Sequence, residues 1–400
     1  MLYRRVKEFL GKLQEKHEEH HKEYKYLYKK MLEESTIRKA YKNLRKGKTK
    51  RKEIKAIDKS LDKCVARMKE MIWESRPGAE HPEKGFHPPK KRKPKKIHEN
   101  GKDRTIYMPD MWEQWLHHII VLVLQPIIEA TAYRWSCGSF PGRGAHYGMR
   151  YLRKKIRTGK HIRNFAKIDI RHFYNSIRVT ILIRELRIRI KDDWFIAIIK
   201  RCLEGFKKGI PLGFYISQWL ANYLLEPLDR FITEVLGIRI HERYMDDIVM
   251  MDDNKKKLHD AIAQIRMLIG RRFRLKLKDN YTVAKFIYDS KRGTIGRPID
   301  FMGFVFMRNR VIIRESIMLS ATRLAAHMYK VKERGGRYYP KHCRAMVSSM
   351  GWFKFTSAYG IYLERIKPLI NIRKLKQIIS KEDRRENSER MARGAQLCAA

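Results

Sequence analysis

The sequence predicts an α+β fold, a mixed antiparallel sheet backed by helices. Three observations carry that expectation. Apolar residues recur at helical spacing toward both ends of the 400-residue chain. Between those ends lie short β-patterned runs joined by turn signals. One such turn holds two adjacent acids, Asp246 and Asp247, followed by the apolar run Ile248-Val249-Met250-Met251.

In chain order, Leu2, Val6, Phe9, Leu10 and Leu13 sit at helical spacing, and Ile54, Ile57, Leu61, Val65, Met68 and Ile72 repeat the pattern. The basic turn between them, Arg45 to Lys52, reads equally as a phosphate contact or a solvated loop. Residues 76–96 open on Arg76-Pro77-Gly78 and close on Pro88-Pro89 and a lysine-rich run. Prolines and like-charge repulsion predict an extended segment there. A hairpin follows, with Lys96 to Glu99 and Lys102 to Met108 around an Asn100-Gly101 turn, stopped by Pro109. Apolar helix runs from about Trp112 to Glu129, and a glycine-rich loop, Gly138 to Gly144, precedes a basic helix. Residues 165–173 read as a strand ending in a turn, 217–235 as a helix, and 239–251 as a hairpin whose turn holds the paired acids. Residues 299–306 and 311–313 read as a hairpin around Arg308-Asn309-Arg310, and the chain is helical beyond Ser316. No internal repeat is visible.

The charge balance narrows the partner. Ninety Lys and Arg against 43 Asp and Glu leave a formal charge of +47. Such a chain repels itself unless a polyanion neutralises it, which points to nucleic acid and to binding that weakens steeply with salt. The five cysteines are scattered without a Cys-x-x-Cys pair, against zinc ribbons and disulfide frameworks. A reduced, cytoplasmic setting fits. The longest apolar stretch, Ile119 to Leu124, is far short of a membrane span, and Met1 to Arg5 lead into charged helix rather than a signal-peptide apolar region.

Burying paired carboxylates is costly unless a positive group sits beside them. Asp169 closes one strand, and Asp246 and Asp247 occupy the turn of a later hairpin. Three carboxylates converging from neighbouring strands form a negative pocket in a positive protein. Two Mg²⁺ ions roughly 3.5–4 Å apart suit such a pocket, one activating an attacking hydroxyl and one stabilising the leaving oxygen. Hard oxygen ligands and substrate phosphates favour Mg²⁺. A solvated Asp-Asp turn is the competing reading.

Tyr244-Met245-Asp246-Asp247 resembles the Tyr-x-Asp-Asp signature of reverse transcriptases. Asp169-x-x-x-Phe173 resembles their first palm aspartate motif, Gly209 to Gln218 the Gly-x-x-x-Ser motif that follows, and Phe301-Met302-Gly303-Phe304 the primer-grip hairpin. The similarity covers roughly residues 86–370, in the family's order. It implies a right-hand polymerase. The N-terminal helical extension would span 1–75, the fingers 76–163, the palm 164–311 with a fingers segment at 180–208, and the helical thumb and basic tail 312–400.

The resemblance assigns roles. Asp169, Asp246 and Asp247 match the catalytic acids, with the Ile170 carbonyl a further metal ligand for two Mg²⁺ ions, Mn²⁺ substituting. Tyr174, beside Phe173, falls at the aromatic steric gate that crowds a ribose 2′-hydroxyl. Arg104 and Lys96 match the residues that hold the triphosphate, with Lys95 or Lys102 as alternatives to Lys96. Lys276 or Lys278 matches a palm lysine. Phe301, Met302 and Gly303 form the primer grip. Arg143, Arg323 and Lys330 face nucleic acid, while Trp352 either stacks or packs.

One departure from the retroviral pattern sets the subgroup. Leu212 precedes Gly213 where retroviral enzymes carry Gln, and Gln218 follows Ser217 where they carry Pro. Leu-Gly-x-x-x-Ser-Gln resembles the enzymes of diversity-generating retroelements, which misincorporate opposite template adenine. Gln can hydrogen-bond the incoming nucleotide and Leu cannot, and selection by apolar fit is the blunter of the two. The implied partners are an RNA template, a DNA or RNA primer, dNTPs, a structured RNA and a small helical accessory protein, with no membrane, in a bacterial or phage-encoded enzyme. No RNase H pattern follows residue 316. Two alternatives stand beside this reading: a phage-defence reverse transcriptase with untemplated or protein-primed synthesis, and a non-catalytic, maturase-like RNA-binding protein.

Overall fold

In a computed structural model of the chain the described residues are 4–11, 22–90, 92–99, 102–159, 162–206, 208–286, 288–290 and 293–398. Leu2, Leu13 and the Asn100-Gly101 turn lie outside them. The chain divides into two units, Met1–Gly148 with Asn164–Val283, and Met149–Arg163 with Ala284–Ala400.

In the first unit, helices α1 (Leu27–Leu32), α2 (Glu34–Arg45), α3 (Lys52–Lys59) and α4 (Leu61–Trp73) follow the expected periodicity. Ile37, Leu44, Ile54, Ile57, Val65, Met68 and Ile72 are all buried. The indole N–H of Trp115 donates to the Ile37 carbonyl at 2.9 Å, tying α2 to the later apolar helix. Tyr24 is stitched to residues 189–191 by two backbone bonds, Tyr24 N–H to Arg189 at 2.8 Å and Lys191 N–H to Tyr24 at 2.9 Å. The N-terminal residues therefore share one apolar core with the sheet.

The segment expected to be extended contains one 3₁₀ turn, Pro82–Lys84. Proline tolerates the first position of a helical turn because its missing N–H would be unpaired there anyway. Strands β1 (Pro94–Glu99) and β2 (Lys102–Tyr107) pair antiparallel from Pro94 opposite Tyr107 to Glu99 opposite Lys102, a register that leaves two residues for the turn. Pro109 ends the ladder. Asp110 caps α5 (Met111–Glu129) by accepting the Glu113 N–H at 2.8 Å.

The main sheet has the order β3-β5-β6-β4-β7. Its strands are β3 (Ser136–Cys137), β4 (Asn164–Asp169), β5 (Ile240–Tyr244), β6 (Asp247–Asp252) and β7 (Thr282–Lys285), with α6 (Ala145–Thr158) between β3 and β4. The short β3 runs parallel to β5, and the β4–β6 and β5–β6 pairs are antiparallel. Between β4 and β5 come α7 (Phe173–Ser176), α8 (Val179–Arg189), α9 (Asp193–Cys202) and α10 (Tyr215–Arg230), the last running into a π-helical turn at Phe231–Val235. Helix α11 (Lys255–Phe273) follows β6, capped by Asn254.

The second unit holds β8 (Tyr288–Ser290) paired with β9 (Gly293–Ile295), then β10 (Ile299–Phe301), β11 (Phe304–Phe306) and β12 (Val311–Ile313). The expected single hairpin is a three-stranded meander, because residues 299–306 are two strands rather than one. Met302 at φ 53° and Gly303 at φ 85° fold the chain back between them. Residues 149–163 belong with this unit because the Arg308 guanidinium donates to the Ile156 and Gly159 carbonyls at 3.3 and 3.0 Å. Helices α12 (Glu315–Glu333), α13 (Pro340–Lys354), α14 (Tyr359–Arg365) and α15 (Ile372–Cys398) complete it around Ala325, Met328, Met346, Phe353 and Leu375. No helix among the described residues is long and apolar enough to cross a membrane.

One glycine in the first unit is required by close approach. The Tyr107 N–H donates to the Leu212 carbonyl at 2.7 Å, so the end of β2 lies against residues 212–213. Gly213 has φ +99°, and a Cβ on it would sit 2.3 Å from the Tyr107 carbonyl oxygen. Gly213→Ala should therefore cost about 1–3 kcal/mol from backbone strain alone. Gly144→Ala, with nothing within 4 Å of its added Cβ, should be near neutral. Thermal unfolding of the two variants checks this, and equal melting temperatures would contradict it.

Candidate active site

Strand register gathers the acids. Asp169 lies opposite Asp247 across β4 and β6, and Asp247 opposite Tyr244 across β6 and β5. Directly opposed residues share a face, so Asp169, Asp247 and Tyr244 form one row. Lys167, Val249 and Glu242 form the next row on that face. Asp246 stands in the turn beside the row. The Ile170 N–H donates to the Asp246 carbonyl at 3.1 Å, which draws the turn onto the end of β4. The Lys278 N–H bonds the Asp169 carbonyl and the Arg171 N–H the Lys276 carbonyl, each at 2.8 Å. Those two bonds flank Ile170 without using its carbonyl.

The electrostatics match a cation site. Oδ1 of Asp169 and Oδ1 of Asp247 are buried without a hydrogen-bond partner. Their other oxygens meet ammonium groups, Lys278 Nζ at 2.7 Å from Asp169 and Lys167 Nζ at 3.4 Å from Asp247. Burial, followed by the charge of Asp169, raises the Asp246 carboxyl above its ordinary range, and Lys278 and Arg104 draw it back down. Burial also pushes Asp247 up to about 6, against the pull of Lys167. No group of three His, Cys, Asp or Glu among the described residues is arranged to hold a metal alone. The donors instead are hard oxygens, two of them orphaned, beside cations that already mark the positive positions. That set fits Mg²⁺, which takes one or two carboxylates and completes its shell from water and substrate phosphates.

Around the acids the structure brings several of the expected residues together. Tyr174 is half-buried, and burial and then the Asp246 charge raise its hydroxyl pKa, placing the phenol in electrostatic reach of that acid. Phe173 is buried against it at 5.5 Å between ring centroids. The Tyr174 carbonyl accepts the Ile210 N–H at 2.8 Å, which seats the 209–213 segment beside α7. Leu212 is half-buried, and Gln218 is exposed on the first turn of α10. Arg104 is exposed on β2, within electrostatic reach of Asp246 and Tyr174. Lys96 is exposed on β1, opposite Thr105. Arg143 packs over the Phe140 ring at 5.3 Å. Phe301, Met302 and Gly303 lie in the second unit, at the β10–β11 turn. Arg323 and Lys330 are exposed on α12, seven residues apart and so on one face. Trp352 packs on Phe304 at 4.8 Å.

Sequence reasoning missed Lys167, whose signal was its place two residues before Asp169 on a strand, hence on the same face. It also missed Arg243 and its partners. A run of three polar residues, His241-Glu242-Arg243, buried in a five-residue strand was the available cue.

Residues 89–306, more than half of the chain, match the family described as Reverse transcriptase (RNA-dependent DNA polymerase). Among curated proteins, the chain is 23% identical over 158 residues to Protein YkfC of Escherichia coli K12, covering 36% of this chain and 39% of that protein. It is 24% identical over 203 residues to the Group II intron-encoded protein LtrA of Lactococcus lactis subsp. cremoris, covering 48% and 32%. The chain thus spans well under half the length of either relative. Among solved structures, apo telomerase of Candida tropicalis aligns with a TM-score of 0.47 at 12% identity, over 74% of this chain and 63% of that one. The matched residues take in the whole acid row, Asp169, Asp246 and Asp247, and the helices that back it. The chain belongs to the reverse transcriptase family.

Glu242, in the row behind the acids, gives a pH test. It is fully buried, and burial pushes it up to about 8 while hydrogen bonding with the neighbouring Cys137 thiol pulls it back. The native state keeps this proton up to about pH 8, whereas an unfolded chain releases it near the ordinary 4.5. Its contribution to stability is therefore fully present below pH 4.5 and is lost as pH rises through 8. Glu242→Gln should melt higher than wild type by ~3 °C or more at pH 8.5, with the gap closing toward pH 5. A gap that does not change with pH would contradict the assignment.

Proposed function

We propose that this chain is an RNA-directed DNA polymerase that copies an RNA template into cDNA. The observation that carries the reading is the Asp169–Asp247 row with Asp246 in the adjoining turn, its orphaned oxygens opposed by Lys278 and Lys167. A protein that only bound RNA would gain nothing from buried acids in a chain of +47, since phosphate binding is favoured by cations alone. That consideration weighs against the maturase-like alternative.

Asp169, Asp246, Asp247 and the Ile170 carbonyl would hold two Mg²⁺ ions, Mn²⁺ substituting. Bound there, the ions supply positive charge to an attacking primer hydroxyl and to the leaving phosphate oxygen. The chain's own residues do the rest. Arg104 offers a bidentate fork to the triphosphate, and Lys278 a point charge beside Asp169. Tyr174 stands where its ring crowds a 2′-hydroxyl near Asp246, which favours deoxynucleotides. Residues 76–163 serve as fingers, 164–311 as palm with the 180–208 fingers segment, and 312–400 as thumb and tail. Residues 1–75 brace the fingers and offer a basic surface to a structured RNA. Phe301 to Gly303 support the primer, and Arg143, Arg323 and Lys330 contact nucleic-acid backbone.

Primer extension on an RNA template with Mg²⁺ tests the activity. Asp169→Asn and Asp246→Asn should each lower the rate by ~10³-fold, the loss expected when several kcal/mol of transition-state charge stabilisation is removed. Equal extension by wild type and variants would remove the catalytic reading.

The Leu212-Gly213-x-x-x-Ser217-Gln218 pattern supports the diversity-generating subgroup, with low fidelity at template adenines. The Leu212 backbone is pinned by Tyr107, so its side chain is the variable element. Leu212→Gln should lower misincorporation opposite adenine by up to about tenfold, the worth of one added hydrogen bond. Sequencing the cDNA checks this. An unchanged error spectrum would sink the subgroup, and untemplated product would favour the defence-type alternative.

A further inference from the structure

Beneath the acid turn lies a buried cation that no step of the polymerase reading uses. Arg243 immediately precedes Tyr244 and is only 1% exposed. Its Nε–H donates to both oxygens of Asp229, at 2.8 and 3.0 Å, and Nη2–H donates to Asp229 Oδ2 at 2.6 Å. Nη1 donates in two directions, to Asn222 Oδ1 and to the Met245 carbonyl, each at 3.1 Å. Asn222 in turn donates through Nδ2 to the Gly138 carbonyl at 3.1 Å. Asn222 and Asp229 are themselves buried and lie on one face of α10, seven residues apart.

Each of these bonds bears on the turn that carries Asp246. Met245 adopts φ 56°, a left-handed conformation that a side chain other than Gly, Asn or Asp holds only when its surroundings impose it. Nη1 of Arg243 fixes the Met245 carbonyl, and the Ile170 N–H fixes the Asp246 carbonyl one residue on. The Met245 side chain rests on Gly138, where an added Cβ would come within 3.2 Å of it. Asn222 holds that same glycine by its carbonyl. A guanidinium suits the position because it offers planar donors in several directions at once, two toward a carboxylate and one toward the turn.

We propose that Arg243 is the positioning residue of the active site, with Asp229 and Asn222 of α10 as its anchors. It acts through Met245, holding Asp246 against Asp169, and does not itself touch substrate. Helix α10, whose first turn carries Gln218 of the proposed nucleotide-selecting segment, thus also sets the geometry of the acids. The proposal rests on the polymerase reading for its kinetic consequence, though not for its structural one.

The test must separate positioning from simple stability, because removing one partner of a buried pair leaves the other charge uncompensated. Arg243→Met/Asp229→Leu removes both charges together and replaces them with apolar groups of similar volume. It should melt close to wild type. Its kcat in primer extension should fall ~10²-fold with the dNTP KM within about threefold, the signature of misplaced catalytic groups rather than lost binding. Amide exchange over residues 244–248, measured without substrates, should rise while exchange within α10 stays slow. Arg243→Lys keeps the charge opposite Asp229 but lacks the fork, so it should fold and show the same kcat loss. A double variant that is stable, fully active and unaltered in exchange would overturn the proposal. So would a fully active Arg243→Lys, which decides the matter if the double variant does not fold. If wild type itself fails to extend a primer, the polymerase reading falls, and the exchange measurement still decides whether Arg243 holds the turn.

Discussion

The candidate active site depends on the register of β4 against β6. Side chains alternate faces along a strand, so a slip of one residue would send Asp169 to the opposite face of the sheet from Asp247. The register is enforced by what the alternation buries. Ile168, Ile248 and Met250 are fully buried on the other face, and Ala166 lies there with them. A slip of one residue would drive Asp169 and Lys167 into that apolar layer and lift Ile168 out of it, at a cost far beyond the worth of any single polar contact. The geometry of the acids is therefore a by-product of hydrophobic burial, not of the acids' own preferences.

Those preferences run the other way. Carboxylates crowded at the end of a half-buried row repel one another and lose hydration, as the upward displacement of Asp246 and Asp247 shows. Lys278 and Lys167 partly offset this, but each reaches only one oxygen of its partner and leaves the second orphaned. Local strain of this kind is stabilised from elsewhere. The buried Arg243–Asp229 pair beneath the turn and the Ile170 N–H bond beside it supply rigid support from two directions. The result is a preorganised negative site within a strongly positive chain, the arrangement a polyanionic substrate carrying divalent cations requires.

Much of this was legible in the sequence because the signals were local. Helical periodicity in residues 54–72, the β1–β2 hairpin and the Asp246-Asp247 turn each depend on a handful of neighbouring residues, and the structure has them where their spacing predicts. Other features depend on contacts distant in sequence. Nothing in residues 299–306 announces that Met302 takes a positive φ, since methionine has no preference for it, and so two strands read as one. The two-residue strand β3 exists only because β5 lies beside it. Arg243 in a strand beside the apolar run 248–251 signals a buried partner, yet its spacing gives no means of choosing Asp229 and Asn222 from other polar residues of the chain. The reverse transcriptase motifs were readable for the opposite reason, as short patterns that carry their chemistry within a few positions.

The central claim is that Asp169 and Asp246 together hold the divalent metal of a nucleotidyl-transfer centre. Electron paramagnetic resonance of Mn²⁺ titrated into the full chain with template–primer and a non-hydrolysable dNTP tests it most directly. The account predicts tightly bound Mn²⁺ in wild type and its loss in Asp169→Asn/Asp246→Asn. Equal Mn²⁺ binding by the two proteins would contradict it.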